Sequence, residues 1–184
     1  MANFTERAIK ESLLKLLNEK PLTKISVKDI VEDCGINRNS FYYHFQDIPS
    51  LLESMIIDET ESIIAAYPSI ESLDKGMSVA IEFALKNKVA VKHIYNSANR
   101  DLLEQYLMNV CGNVVEKYLD TAFEGVNVKE EDKKIARHLI SCTCFGLVID
   151  WLNSGMKEDA PNDIARICEL CKGIPEEIIE RSRG

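Results

Sequence analysis

The chain has 184 residues, 46% of them hydrophobic, and a net charge of −8 from 22 basic and 30 acidic side chains. Such a length and apolar content exclude a disordered or fibrous chain and permit either one domain or a small head on a larger body. The acidic balance lacks the basic footprint usual for nucleic-acid binders, but it is uneven: residues 1–50 carry seven Lys or Arg and seven Asp or Glu, and residues 51–184 carry fifteen against twenty-three.

Helical periodicity runs from end to end, without sustained alternation of apolar and polar residues. Thr5 caps a first helix with Ile9, Leu13, Leu16 and Leu17 inward, and Pro21 follows its end. Next comes a short helix with Val27, Ile30, Val31 and Cys34 on one face, capped by Ser26. Gly35 stands where the chain turns through a left-handed residue. Asn37 caps a third helix whose inner face is Ile36, Phe41 and Phe45, leaving Arg38, Asn39, Ser40, Tyr42, Tyr43 and His44 outside. This is a helix-turn-helix with a donor-rich second helix, a pattern that points to DNA.

Asp47 or Ser50 opens a connecting helix that Pro68 stops. Further helices are expected from Ser72 towards Lys88, around Val89–Tyr95, from about Arg100 to Phe123, from about Lys129 to Asn153 and from Ile164 to Lys172, with an irregular tail after Gly173. The fold is expected to be all-α, with a three-helix DNA-binding head at 1–48 and an effector-sensing, dimerising helical bundle at 49–184. The helix at 129–153 is apolar around too much of its circumference for a lone surface helix, which leaves the centre of the bundle or a subunit interface. Small residues at Ser141, Thr143 and Gly146 favour the interface. No apolar run approaches the roughly 18 residues that span a bilayer, and no signal-peptide pattern leads the chain. A cytoplasmic protein without membrane partners is expected, its six cysteines reduced.

Side-chain chemistry assigns roles within the head. Arginine pairs with guanine O6 and N7 and asparagine with adenine N6 and N7, so Arg38 and Asn39 are the candidates for base readout. Adjacent helical positions point about 100° apart, so with Phe41 and Phe45 inside, at least one of Tyr42 and Tyr43 presents its hydroxyl outward, to a phosphate. His44 either meets a phosphate or caps carbonyls at the helix end. The neutral head permits this, because charge on the body is screened beyond roughly 8–10 Å.

Thr5 through Leu52 resembles the DNA-binding head of the TetR family of transcriptional regulators. The matching residues are Ile25-Ser26-Val27-Lys28-Asp29-Ile30, the turn Cys34-Gly35-Ile36, and Phe41-Tyr42-Tyr43-His44-Phe45 followed by Leu51-Leu52. The head also resembles the branch containing regulators of dihydroxyacetone kinase operons. The resemblance implies a homodimer with two heads in successive major grooves of a double-stranded palindromic operator, and a body that senses a small-molecule effector. It places Ser26 and Lys28 near phosphates, Arg38, Asn39 and Ser40 at the front of the recognition helix beside Asn37, and Tyr42, Tyr43 and His44 on the backbone or groove edge. One departure stands out: where the family commonly has a phosphate-gripping lysine at the start of the fourth helix, this chain has Ile48-Pro49, and Gln46 replaces it only in part.

Elsewhere the signals are weaker. His93, Tyr95, Tyr106, Met108, His138 and Trp151 are candidates to line an effector cavity, although each is also an ordinary packing residue. Cys168-x-x-Cys171 has no second pair at zinc-finger spacing, so neither a metal nor another cofactor is expected. A thiol switch using Cys111, Cys142 or Cys144 is one alternative to effector-controlled repression. An effector-free regulator or activator whose body docks a protein is another. No Gly-rich phosphate loop, nucleophile elbow or HExxH motif suggests an enzyme.

Overall fold

The computed structural model describes residues 2–69, 72–97, 100–171 and 173–182. The elements in order are α1 (Ala2–Glu19), a 3-10 turn (Leu22–Lys24), α2 (Val27–Asp33), α3 (Arg38–His44), α4 (Ile48–Ala66), α5 (Leu73–Lys86), α6 (Lys88–Tyr95), α7 (Arg100–Ala122), α8 (Glu130–Asn153), α9 (Ala160–Leu170) and α10 (Ile174–Ser182). The fold is all-α, and no strand occurs among the described residues. Two compact units emerge, one of residues 1–59 with 87–104, the other of 60–86 with 105–184.

In the first unit the apolar face of α1 closes over α2, α3 and the start of α4. Ile9, Leu13, Leu17, Ile30, Phe41 and Leu51 are fully buried there. The unit therefore extends beyond residues 1–48. It takes in the first turns of α4 and also α6, whose Ala90 joins the same core. His93 Nδ1 lies 2.7 Å from the Leu17 carbonyl oxygen at the end of α1, which fixes α6 along that helix. Tyr95 is buried, its hydroxyl accepting from Arg100 Nη2 at 2.7 Å while the guanidinium lies 4.4 Å from the ring centroid.

The second unit has a smaller core, in which Val115, Leu119, Phe123 and Val128 pack against Ile140 and Cys144 of α8 and Ile178 of α10. Alongside, α5 packs against α9. Gly76 of α5 is buried, and a Cβ there would stand 3.2 Å from Tyr118 Oη and 3.4 Å from Ile63 and Tyr67. Its missing side chain makes room for Tyr118 of α7 to donate its hydroxyl to the Tyr67 carbonyl at the end of α4. Arg137 joins α8 to α7 through Glu116 and Asp120.

Three sequence expectations need correction. Thr5 does not cap α1, because the helix already begins at Ala2. The tail is not irregular but forms α10, with Pro175 at a first-turn position where its missing N–H is tolerated. Long-range contacts hold that helix: the buried Ser182 donates to Asp132 at 2.6 Å and accepts from the Lys129 backbone N–H at 3.1 Å. Third, α8 is long and apolar enough to cross a membrane by length and composition. Arg137, His138 and Asp150 interrupt its apolar residues, so the run is not continuous in the sequence. It is not the centre of its unit either, since Ile135 and Leu139 are 66% and 64% exposed.

Candidate nucleic-acid interface

The helix-turn-helix is built from two short helices that cannot persist alone, so caps and one aromatic anchor carry its geometry. At the start of α2, Ser26 Oγ accepts from the Asp29 N–H at 3.3 Å and donates to the Asp29 carboxylate, while the Ser26 N–H donates to that carboxylate at 2.8 Å. This reciprocal capping box satisfies two orphan donors. Lys20 Nζ adds a further bond at 2.9 Å. The Ser26 hydroxyl, followed by Lys20, holds the Asp29 carboxyl well below the usual carboxylate range. Both donors of Ser26 are thus engaged with Asp29 in the cap.

Gly35 takes a φ of +70° with no heavy atom within 4 Å of a built Cβ, so its requirement is conformational rather than spatial. The Ile36 N–H then donates to the Val31 carbonyl at 3.0 Å, closing α2 and redirecting the chain. At the start of α3, Asn37 Oδ1 accepts from the Ser40 N–H at 2.8 Å and from the Ser40 hydroxyl at 3.1 Å. Asn37 and Ser40 therefore serve each other, which leaves Arg38 and Asn39 between them exposed and directed outward.

Phe41 is fully buried, and Phe45 nearly so, with ring centroids 6.0 Å apart. Tyr42 and Tyr43 are both exposed, at 56% and 80%. Tyr43 meets the half-buried His44 edge to face at 5.1 Å. One face of α3 is thus anchored by phenylalanine, and the other carries Arg38, Asn39, Tyr42 and Tyr43.

Most of the head's cations are neutralised internally. Arg7 pairs with Glu11, Lys10 with Glu6 and Asp58, Lys15 with Asp33, Lys20 with Asp29 and Lys28 with Glu32. Among the described residues, Lys24 and Arg38 have no ion-pair partner in the head. Lys24 is exposed on the 3-10 turn just before α2, a position the sequence reading passed over. A signal was present: neither Lys24 nor Arg38 has a carboxylate three or four residues away.

The start of α4 deepens the departure noted at Ile48-Pro49. Asp47 Oδ1 accepts from the Ser50 N–H at 2.8 Å, and the Ser50 hydroxyl accepts from the Asp47 N–H at 3.1 Å. A carboxylate of the chain itself thus occupies the positive end of this helix, where a phosphate would otherwise be attracted.

The candidate effector residues are divided between the two units. His93 and Tyr95 lie in the first unit, with their polar atoms on Leu17 and Arg100. Tyr106 and Met108 are half-buried on α7, and His138 is exposed on α8. The half-buried Trp151 donates to the Lys157 carbonyl at 3.0 Å. Among the described residues no group of three or more metal-ligating side chains converges.

An all-helical chain that opens with such a module has the architecture of a DNA-binding regulator. A family model described as bacterial regulatory proteins, tetR family, matches residues 9–55, and one described as transcriptional regulator C-terminal region matches residues 71–173, more than half the chain. The chain belongs to the TetR family of transcriptional regulators, which are transcription factors and not enzymes. It is 33% identical over 63 residues to an uncharacterized HTH-type transcriptional regulator, YxbF, of Bacillus subtilis (strain 168), a match that covers 34% of this chain and 17% of that protein.

Solved structures show the same fold. The dihydroxyacetone kinase operon activator DhaS is similar with a TM-score of 0.71 at 16% identity, over 92% of this chain and 97% of that one. A TetR regulator from Rhodococcus sp. RHA1 gives 0.60 at 19% identity, over 90% and 95%. The TetR family repressor AlkX from Dietzia sp. strain DQ12-45-1b, implicated in biodegradation of n-alkanes, gives 0.60 at 14% identity, over 93% and 97%.

Proposed function

We propose that the chain acts in the cytoplasm as a homodimeric repressor that sets α3 of each head into successive major grooves of a palindromic operator. The observation that carries this reading is the outer face of α3, where Arg38, Asn39, Tyr42 and Tyr43 are exposed on a helix locked by Phe41 and Phe45. Arg38 supplies a fork of donors for guanine, Asn39 a donor and acceptor for adenine, and the tyrosine hydroxyls bonds to phosphate. Support for the dimer comes from α8. Ile135, Leu139, Cys142, Thr143 and Gly146 form one exposed stripe along it, apolar at one end and small-sided at the middle, which suits a self-complementary contact.

A small molecule that binds the body would release the operator by favouring a head spacing other than one helical turn, about 34 Å. Coupling of about 1–3 kcal/mol suffices for a 5- to 150-fold change in affinity. The DhaS likeness supports a second reading, activation, because that relative is named an activator. Transcription of the flanking gene in vitro, with and without the protein, separates the two.

The test of DNA binding is a gel shift with the DNA flanking the protein's own gene, repeated across salt concentrations. A specific shift that weakens as salt rises is expected, because neutralised phosphates release counterions. No specific shift, or an affinity indifferent to salt, overturns the reading. The thiol-switch alternative has less support. Burial, helped by Cys144, pushes the Cys111 thiol up to about 12, and burial also raises Cys144, leaving both poor nucleophiles.

A further inference from the structure

Cys142 and His138 lie one helical turn apart on the exposed stripe of α8, with Cys142 Sγ 3.8 Å from His138 Nε2. Two ligands of one tetrahedral zinc ion stand roughly 3.6 Å apart, given Zn–N near 2.0–2.1 Å and Zn–S near 2.3 Å. The pair is therefore already spread as two corners of such a site. One chain offers only these two ligands, since no third His, Cys, Asp or Glu joins them among the described residues.

A two-fold contact supplies the missing half. Cys142 sits at the midpoint of α8, which runs Glu130–Asn153. A two-fold axis crossing the helix at its midpoint sets that residue beside its own copy. Thr143 and Gly146, both exposed on the same stripe, have small side chains that let two helices approach closely.

We propose that His138 and Cys142 from two copies of the chain form an inter-subunit Cys2His2 site for a zinc-class divalent ion, resting on the dimer reading above. Thiolate and imidazole ligands select zinc over magnesium or calcium. On coordination each Cys142 thiol gives up its proton, and Nε2 of each neutral imidazole supplies a lone pair. Two thiolates cancel the ion's two positive charges, so the site is neutral overall. That neutrality suits a contact bordered by Leu139 and Ile135, where an uncompensated charge would be costly to bury.

The test uses the full chain, reduced and stripped with chelator, then titrated with cobalt(II) as a spectroscopic probe while light scattering reports its mass. The expected result is one cobalt per two chains, with tetrahedral d–d absorption and a thiolate charge-transfer band that zinc displaces. Both signals disappear in Cys142→Ser, and His138→Ala loses the tetrahedral spectrum, while each variant remains dimeric without metal. Zinc at 100 times its Kd should lower the concentration at which the dimer dissociates roughly 100-fold.

A dimer that binds no cobalt, a ratio of one cobalt per chain, or an unchanged spectrum in Cys142→Ser overturns the metal site and leaves the dimer standing. A Cys142-dependent disulfide that forms despite saturating cobalt also overturns it, in favour of an oxidised cross-link. A monomeric chain overturns both the dimer and the site.

Discussion

The head and the body solve the problem of burial differently. In the head, Ile9, Leu13, Leu17, Ile30, Phe41 and Leu51 are all fully enclosed by elements of the same unit. In the body, Met156 is the one residue of that size described as fully buried, and Ile135 and Leu139 of its longest helix face outward. The head is complete as one copy, whereas the body leaves an apolar stripe that a second copy would cover. A regulator built this way keeps its reading surface rigid and leaves its assembly surface open to equilibrium.

The contrast fails most visibly if the head does not depend on its anchor. Phe41→Ala should cost about 3–5 kcal/mol, as for other buried phenylalanines, and abolish operator binding; denaturant unfolding measures the first and gel shift the second. For the body, Leu139→Asp should leave the single chain folded while placing like charges opposite each other in the proposed dimer, at several kcal/mol. Light scattering should then report a monomer at concentrations where the parent chain is dimeric. An unfolded Leu139→Asp chain would mean that the stripe supports the body itself.

Smaller effects sharpen the picture of the reading surface. Arg38→Ala should cost about 1–3 kcal/mol on the preferred operator and relax base preference, whereas Tyr42→Phe should weaken all sequences alike. Ser26→Ala should remove about 0.5–2 kcal/mol of stability through the lost cap, with base preference unchanged. The last effect is one of pH. Asp29 and Asp33 are both lowered, Asp29 chiefly by the Ser26 hydroxyl and Asp33 chiefly by Lys15. Their contribution is fully present above the unfolded carboxylate value near 3.9 and is lost as pH falls through the lowered folded values. The thermal stability of the head should therefore fall as pH drops below about 4, less so in Asp29→Asn.

Much of this was legible because it is local. The spacing of Val27, Ile30 and Val31, the caps at Ser26 and Asn37, and the Phe41–Phe45 pair are properties of ten or fewer consecutive residues, and all appear in the fold. What escaped depends on partners distant in the chain. Helix α6 joins the first unit through His93 and Leu17, 76 residues apart, and α10 is held by Ser182 on Asp132, 50 residues away. The engagement of Ser26 with Asp29 was half visible, since the capping box is a sequence pattern, but a cap also withdraws the donors a phosphate would need. The exposure of α8 was readable only in part: its small residues favoured an interface, but a stripe of apolar and small residues looks much the same in a core, and only the exposed Ile135 and Leu139 exclude the centre of the unit.

The internal ion pairs of the head bear on how such a protein finds its site. A head that spends Lys10, Lys15, Lys20 and Lys28 on its own carboxylates, and fills the start of α4 with Asp47, has little attraction to spare for arbitrary DNA. A genome offers about 10⁶–10⁹ competing sites, so what counts is the ratio of operator to background affinity. Weak background binding leaves more of each cell's supply free for the operator, so fewer copies are needed than for a stickier head.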